Sequence, residues 1–186
     1  NYTISEKIKE IGRLSFAQSG LKKIEIPDNV ETIEYGAFYG CESLEEVVIP
    51  DTVTSIDSYA FVDCGNLKNV VIGENVTKIG CYAFLKCVSL QSIEIPDSVT
   101  EIEGWAFREC SALKNVKLSK SILTMGNYAF GYCSEIESIE IPKSLKSTGG
   151  PFIGCKGLKE VIFEKGITRI ASHLFDGCNG LEEIVI

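Results

Sequence analysis

Leu44-Glu45-Glu46-Val47-Val48-Ile49-Pro50-Asp51-Thr52-Val53-Thr54-Ser55-Ile56-Asp57-Ser58-Tyr59-Ala60-Phe61-Val62-Asp63-Cys64 is the stretch that decides the fold. It is one copy of a unit that returns every 23 residues. Cys stands at 41, 64, 87, 110, 133, 155 and 178, with Phe three places before each. Ala precedes Phe at 37, 60, 83, 106 and 129. Units open with Leu or Ile at 21, 44, 67, 90, 113, 136, 158 and 181, and two more aliphatics follow, such as Ile24 and Ile26. A period between roughly 20 and 50 residues is the signature of stacked repeats. One step, from Cys133 to Cys155, is 22 residues, because the three residues Gly149-Gly150-Pro151 stand where the other units have x-x-x-Ala. Residues 1–20 are a worn partial unit: Ile4, Ile8, Ile11 and Phe16 keep the register and Ser19 takes the Cys place. The expected organisation is a single domain over 1–186, with that partial unit, seven units over 21–180, and the start of another at 181–186.

Within a unit, Leu-x-x-Ile-x-Ile alternates apolar and polar residues at its end and reads as a short strand. Pro27, Pro50, Pro96 and Pro142 close it, because proline has no N–H to give to a ladder. Asp or Asn just beyond suits a turn. Val-x-x-Ile reads as a second extended piece. Ala-Phe-x-x-Cys is too short for a free-standing helix and reads as a single 3₁₀ or α turn. No unit can bury its apolar face alone; stacked units share a core and pair their strands in parallel.

Composition narrows the function. The net charge of −8 argues against nucleic acid, which needs a basic patch. No apolar run approaches the ~18 residues of a membrane helix, and no signal peptide is visible. With one His and no CxxC pair, no metal site is expected, and no cofactor motif is present: no phosphate loop, no HExxH, no nucleophile elbow. The protein is therefore expected not to be an enzyme. Seven of the eight cysteines occupy the same slot of their unit, which points to a column of buried, reduced thiols; disulfides between neighbouring coils are the alternative. Cys81 breaks the column and is expected to face outward or nearly so. Asn1-Tyr2-Thr3 and Asn75-Val76-Thr77 match the N-glycosylation pattern, which matters only in a secreting eukaryote.

The pattern Leu-x-x-Ile-x-Ile-Pro-x-x-Val-x-x-Ile-x-x-x-Ala-Phe-x-x-Cys, nearly unbroken at 44–64 and 90–110, resembles the BspA-like, treponemal-class bacterial leucine-rich repeats. Departures are Gly73, Ser119 and Glu164 at the Pro place and the shortened sixth unit. The resemblance implies an α/β leucine-rich-repeat solenoid, a right-handed curved superhelix of about eight coils with a parallel sheet on the concave side and 3₁₀ or α turns elsewhere. It also implies a secreted or cell-surface bacterial protein that adheres to host matrix proteins, host cells or other bacteria. It supplies no catalytic residues.

Between the inward aliphatics of the first strand, side chains point to the opposite, concave face. The column there is Glu25, Val48, Val71, Glu94, Lys117, Glu140, Ile162 and Val185, the candidate partner contacts. A second column runs Lys23, Glu46, Asn69, Ser92, Asn115, Ser138, Glu160 and Glu183. Val and Ile also simply favour strands, so the apolar members have a structural explanation too. Charges nearly alternate along Lys22, Glu45, Lys68, Gln91, Lys114, Glu137, Lys159 and Glu182, a column read as register-fixing. Tyr59, Tyr82, Trp105 and Tyr128 form an outer aromatic stripe, either a cover for the core or a secondary site for sugars or a partner; His173 shares their column. The leading expectation is a non-enzymatic protein-binding or adhesion module using the concave face. The alternatives are a structural spacer and a carbohydrate-binding module using the aromatic stripe. Both ends lack polar caps, so the chain is expected to be a fragment or to pair end to end.

Overall fold

The structure, a computed structural model, describes residues 2–186; Asn1 of the first glycosylation pattern lies outside them. The sequence period becomes physical stacking. Phe16, Phe38, Phe61, Phe84, Phe107, Phe130, Phe152 and Phe175 form one column, with neighbouring centroids 4.9–5.9 Å apart and rings within 18° of parallel. That interval is close to the ~4.8 Å between hydrogen-bonded strands, so each coil is one strand thick. The coils opening at Leu21, Leu44, Leu67, Leu90, Leu113, Ile136 and Leu158 are numbered 1–7 here. Their aliphatic, Ala, Phe and Cys columns share one continuous core, fully covered in most coils and only partly covered at Ile167, Ala171 and Phe175 of coil 7.

Coils 1 to 6 each contribute two short strands. The second strands run from Glu10–Ile11 through Thr32–Ile33, Ser55–Ile56, Lys78–Ile79, Glu101–Ile102 and Thr124–Met125 to Ser147–Thr148. They make an unbroken seven-stranded parallel sheet in chain order. Its register sets Ile33 against Ile56, Ile56 against Ile79, Ile79 against Ile102 and Ile102 against Met125. Coil 7 adds no second strand, and Ile170, which holds the place of the buried Ile33, Ile56, Ile79 and Ile102, is 50% exposed there.

The first strands also pair in parallel, but in pieces. Tyr2–Thr3 pairs with Ile24–Glu25, and one bridge, Lys23 to Glu46, leads on to coil 2. Glu46–Val48 then pairs with Asn69–Val71, Ser92–Glu94 with Asn115–Lys117, and Ser138–Ile141 with Glu160–Phe163, which pairs with Glu183–Val185. The ladder is thus interrupted between coils 3 and 4 and between coils 5 and 6.

The expected helical turn at Ala-Phe-x-x-Cys is not formed, and there is no helix among the described residues. In coil 2 the N–H groups of Ala60, Val62 and Cys64 bond to carbonyls three residues back, making successive turns. The intervening N–H groups of Tyr59, Phe61 and Asp63 donate instead to Cys81, Ala83 and Leu85 of the next coil, at 2.9, 2.7 and 2.9 Å. A helix needs every N–H within its own segment; here alternate ones hold the neighbour. The backbone achieves this with left-handed residues at two fixed places: Tyr59 and Asp63, Tyr82 and Lys86, Trp105 and Glu109, Tyr128 and Tyr132. In coils 1 and 6 glycine fills both places, as Gly36 and Gly40, Gly150 and Gly154.

The departures from the repeat are absorbed locally. At Gly73 a Cβ would lie 2.4 Å from the Pro50 carbonyl oxygen, so the Pro place of coil 3 admits no side chain. In the shortened coil 6, the Pro151 carbonyl accepts the Phe130 N–H at 2.8 Å, as an Ala carbonyl does in the preceding coils. No helix of the described residues is long and apolar enough to cross a membrane.

Candidate functional site

The first strands expose every second side chain. In coils 2 to 4 the central residue, Val47, Val70 or Ile93, is buried and its two neighbours are exposed. Glu25, Val48, Val71, Glu94, Lys117 and Glu140 therefore share one open face; Ile162 is half-buried on it. Val48 and Val71 are direct register partners, 57% and 56% exposed. Ion pairs flank them: Lys23 with Glu46 on one side, Lys117 with Glu94 on the other. Glu46 and Glu94 thus have partners within the face, while Glu25 forms no ion pair among the described residues and the two valines stand against each other in register.

At the interruption between coils 5 and 6 the face opens. Val116 is half-buried where its counterparts in coils 2 to 4 are covered. A cleft of about 380 Å³ lies there, bounded by Val116, Leu118 and Pro142 and rimmed by Lys117, Lys120, Glu140 and Glu164. Glu164 accepts the Lys143 N–H at 2.9 Å and pairs with its ammonium at 3.0 Å. The backbone N–H first, then the lysine side chain, hold its carboxyl below the ordinary value.

The aromatic stripe forms a stack. Tyr59, Tyr82 and Trp105 lie 4.8 and 5.1 Å apart, and Tyr128 follows at 6.2 Å. The stack is longer than the sequence column: Tyr35 joins at 5.0 Å and Tyr132 at 6.1 Å. Arg13 lies over Tyr35 and Arg108 over Tyr132, at 4.5 and 5.2 Å. Ring faces are turned toward one another and toward guanidinium groups. A sugar binds an aromatic by covering its face, so this arrangement gives the stripe a structural part.

The seven columnar cysteines are buried and free, and no disulfide joins neighbouring coils. Each thiol donates to the carbonyl of the Phe one coil before, from Cys41 to Phe16 through Cys178 to Phe152, at 3.0–3.3 Å. Burial pushes Cys64, Cys87, Cys110, Cys133 and Cys155 upward, so they remain protonated and inert. Cys81, alone among the cysteines, is only partly buried; its N–H donates to the Glu103 carboxylate at 2.9 Å. Burial, then the neighbouring Glu103, raise its thiol as well. Burial also works to raise the Glu103 carboxyl, but bonds from Lys78 and Cys81 outweigh it and hold that group below its usual value.

The family model of the BspA type leucine rich repeat region (6 copies) matches residues 1–102 and, again, 77–186. The chain belongs to this family. Among solved structures, a leucine-rich repeat protein from Bacteroides ovatus superposes with a TM-score of 0.76 at 28% identity, over 98% of this chain and 54% of that one. A leucine-rich repeat protein from T. pallidum gives 0.70 at 32% identity, over 75% of this chain and 68% of its own. A leucine-rich cell surface protein from Faecalibacterium prausnitzii gives 0.60 at 26% identity, over 98% and 58%. The chain spans about half the length of the Bacteroides protein. Comparison with curated proteins gives no match.

As a BspA-type repeat protein the chain brings most of its sequence-chosen residues onto one face, but not as one uninterrupted strip. The charge-alternating column is held first by backbone bonds, such as Lys68 N–H to Glu45 at 2.9 Å and Lys159 N–H to Glu137 at 2.8 Å. Its side chains add long pairs, Lys68 with Glu45 at 3.7 Å and Lys159 with Glu137 at 3.9 Å, while Lys114 turns to Glu135. His173 is exposed and its Nδ1 meets Asp176 at 2.7 Å. Asn75 donates its side-chain amide to the Asp51 carbonyl at 2.9 Å, a bond that serves the turn. Sequence reasoning missed Tyr35, Tyr132 and the cleft. The two tyrosines stand one place before and four places after the aromatic column, and the offset hid them.

Proposed function

We propose that this chain is a non-enzymatic protein-binding module of a secreted or surface-exposed bacterial protein, and that it grips its partner through the open face of the first strands. The observation that carries the reading is the Val48–Val71 pair. Both side chains are more than half exposed, between the Lys23–Glu46 and Lys117–Glu94 ion pairs. Interfaces draw their energy from a few desolvated anchors inside a polar rim, and this arrangement has that form. The name of the Faecalibacterium relative, a cell surface protein, supports the location. Adhesion to host matrix proteins, host cells or other bacteria is the role that fits such a module.

An array of matrix and cell-surface proteins probed with the purified chain tests this. Saturable binding to a protein on the array is expected. Val48→Glu combined with Val71→Glu should weaken it by more than about tenfold, the loss of one good anchor, while the melting curve stays in place. Trp105→Ala should leave the affinity unchanged. Binding indifferent to the valine substitutions would refute the assigned face.

A further inference from the structure

The residue just after the Pro place of each coil forms a further surface column, of which only Lys120 touches the cleft. In coils 1 to 4 it is Asp28, Asp51, Glu74 and Asp97; in coils 5 to 7 it is Lys120, Lys143 and Lys165. All of these are exposed. The sign therefore reverses once, between coils 4 and 5, and the polarity extends to a neighbouring column, with Glu31 in coil 1 and Lys146 in coil 6. Turn chemistry does not demand it, because lysine fills the same turn position in three coils. Nor does stability: like charges on adjacent strands repel, and four acids in a row disfavour the stack. Asp51 and Asp97 each accept the N–H of the next residue of the column, Glu74 at 2.7 Å and Lys120 at 2.8 Å, which fixes the carboxylates on the edge. Lys143 is shared with Glu164, and Lys117 feels Asp97 and Glu74. Among the described residues no ion pair joins Asp28, Asp51, Glu74, Asp97, Lys120 or Lys165 to another side chain.

We propose that this bipolar edge docks a second copy of the same chain, side by side and antiparallel, about a two-fold axis between coils 4 and 5. A two-fold interface must be self-complementary, and a row that changes sign once at its middle meets that condition. The rotation reverses coil order, so coil 4 faces coil 5 of the partner copy, coil 3 faces coil 6 and coil 2 faces coil 7. Asp97 then meets Lys120, Glu74 meets Lys143 and Asp51 meets Lys165, each pair made twice. Both copies have the same coil spacing, so the register does not drift along the edge. A parallel arrangement would set like charge against like. Exposed ion pairs are individually weak, so the complex is a weak one whose strength depends on salt. The edge adjoins the open face at the cleft, whose rim includes Lys120, while the Val48–Val71 pair lies on the first strands themselves and is not part of the edge.

Analytical ultracentrifugation of the purified chain tests the proposal, with zero-length carbodiimide crosslinking as a second measurement. Concentration-dependent dimers are expected at low salt, weakened by more than about tenfold when the ionic strength rises from about 0.05 to about 0.5 M. Crosslinking should join Asp51 to Lys165. Within one chain these lie five coils apart, on the order of 24 Å, beyond the reach of a zero-length link. Lys120→Glu with Lys143→Glu should abolish self-association, as should Glu74→Lys with Asp97→Lys, and a mixture of the two variants should associate again. A wild-type chain that stays monomeric at low salt, or dimers indifferent to both salt and the reversals, would overturn the proposal. So would dimers in which the Asp51–Lys165 link never forms.

Discussion

The two strand columns of each coil are made from the same repeat, yet they behave differently. The second strands stack without a break through coil 6, and in coils 1 to 5 N–H groups of the Phe–Cys turns alternate between their own turn and the next coil. The first strands stack in short runs, interrupted at two joints, and carry side chains that change from coil to coil. Where every coil presents the same residue, neighbours interlock and the geometry is uniform. Where the residues differ, no common packing solution exists, and the surface is free to be chemically individual. The uniform side acts as scaffold; the varied side carries the candidate contacts.

The sharpest way to test that contrast is chemical. Thiol labelling of the folded chain should modify Cys81 more than about a hundredfold faster than the seven columnar cysteines, which react only when the scaffold opens. Rapid labelling of several columnar thiols would show that the uniform side is not closed. Next in size is Phe84→Ala. Its ring lies between Phe61 and Phe107 at 5.1 and 5.0 Å, fully buried, and its loss should cost about 3–5 kcal/mol in a urea melt.

The left-handed places offer a pair of substitutions with opposite outcomes. Tyr82 and Lys86 have nearly the same φ, 61° and 59°. Lys86→Gly relieves the strain and loses little, so stability should rise by about 0.5–1 kcal/mol. Tyr82→Gly relieves the same strain but removes a ring stacked on both sides, and stability should fall by about 1 kcal/mol or more. A fall in both would mean that strain is not what these positions carry.

Smaller still is the contribution of Glu103. Its folded carboxyl lies below the ordinary value, so its stabilisation is complete above the usual carboxylate range near pH ~4.3. That stabilisation is lost as the pH falls through the lower folded value. Glu103→Gln should therefore destabilise at neutral pH by less than about 1 kcal/mol, given its partial exposure, and the gap to wild type should close in acid. A gap constant with pH would assign the effect to packing. Least of all, Val71→Ala on the varied side should shift stability by about 0.5 kcal/mol or less.

Much of this was legible in the residues. The columns of Leu, Ile, Phe and Cys announced the coil and its core, because a side chain that recurs every 23 residues can be buried only by its own copies. Val48 and Val71 were legible as exposed, because strand alternation fixes the side of each residue. The turn was misread as helical, because Ala-Phe-x-x-Cys has helix-compatible residues and nothing in one unit shows where its N–H groups go. A clue was nonetheless present: Gly36, Gly40, Gly150 and Gly154 stand at the very places where other coils hold left-handed tyrosines and charged residues. The cleft beside Val116 could not be read at all, since it arises from a mismatch between two neighbouring coils.

The sequence by itself determined the period, the occupants of the interior and the parallel sense of the strands, since each follows from like residues burying like residues. Only the tertiary structure decided where the first-strand ladder breaks, that the aromatic rings cover one another, and that alternate turn N–H groups bind the next coil. Those outcomes depend on how adjacent coils fit, and fit is a property of pairs of coils in space rather than of either stretch of chain.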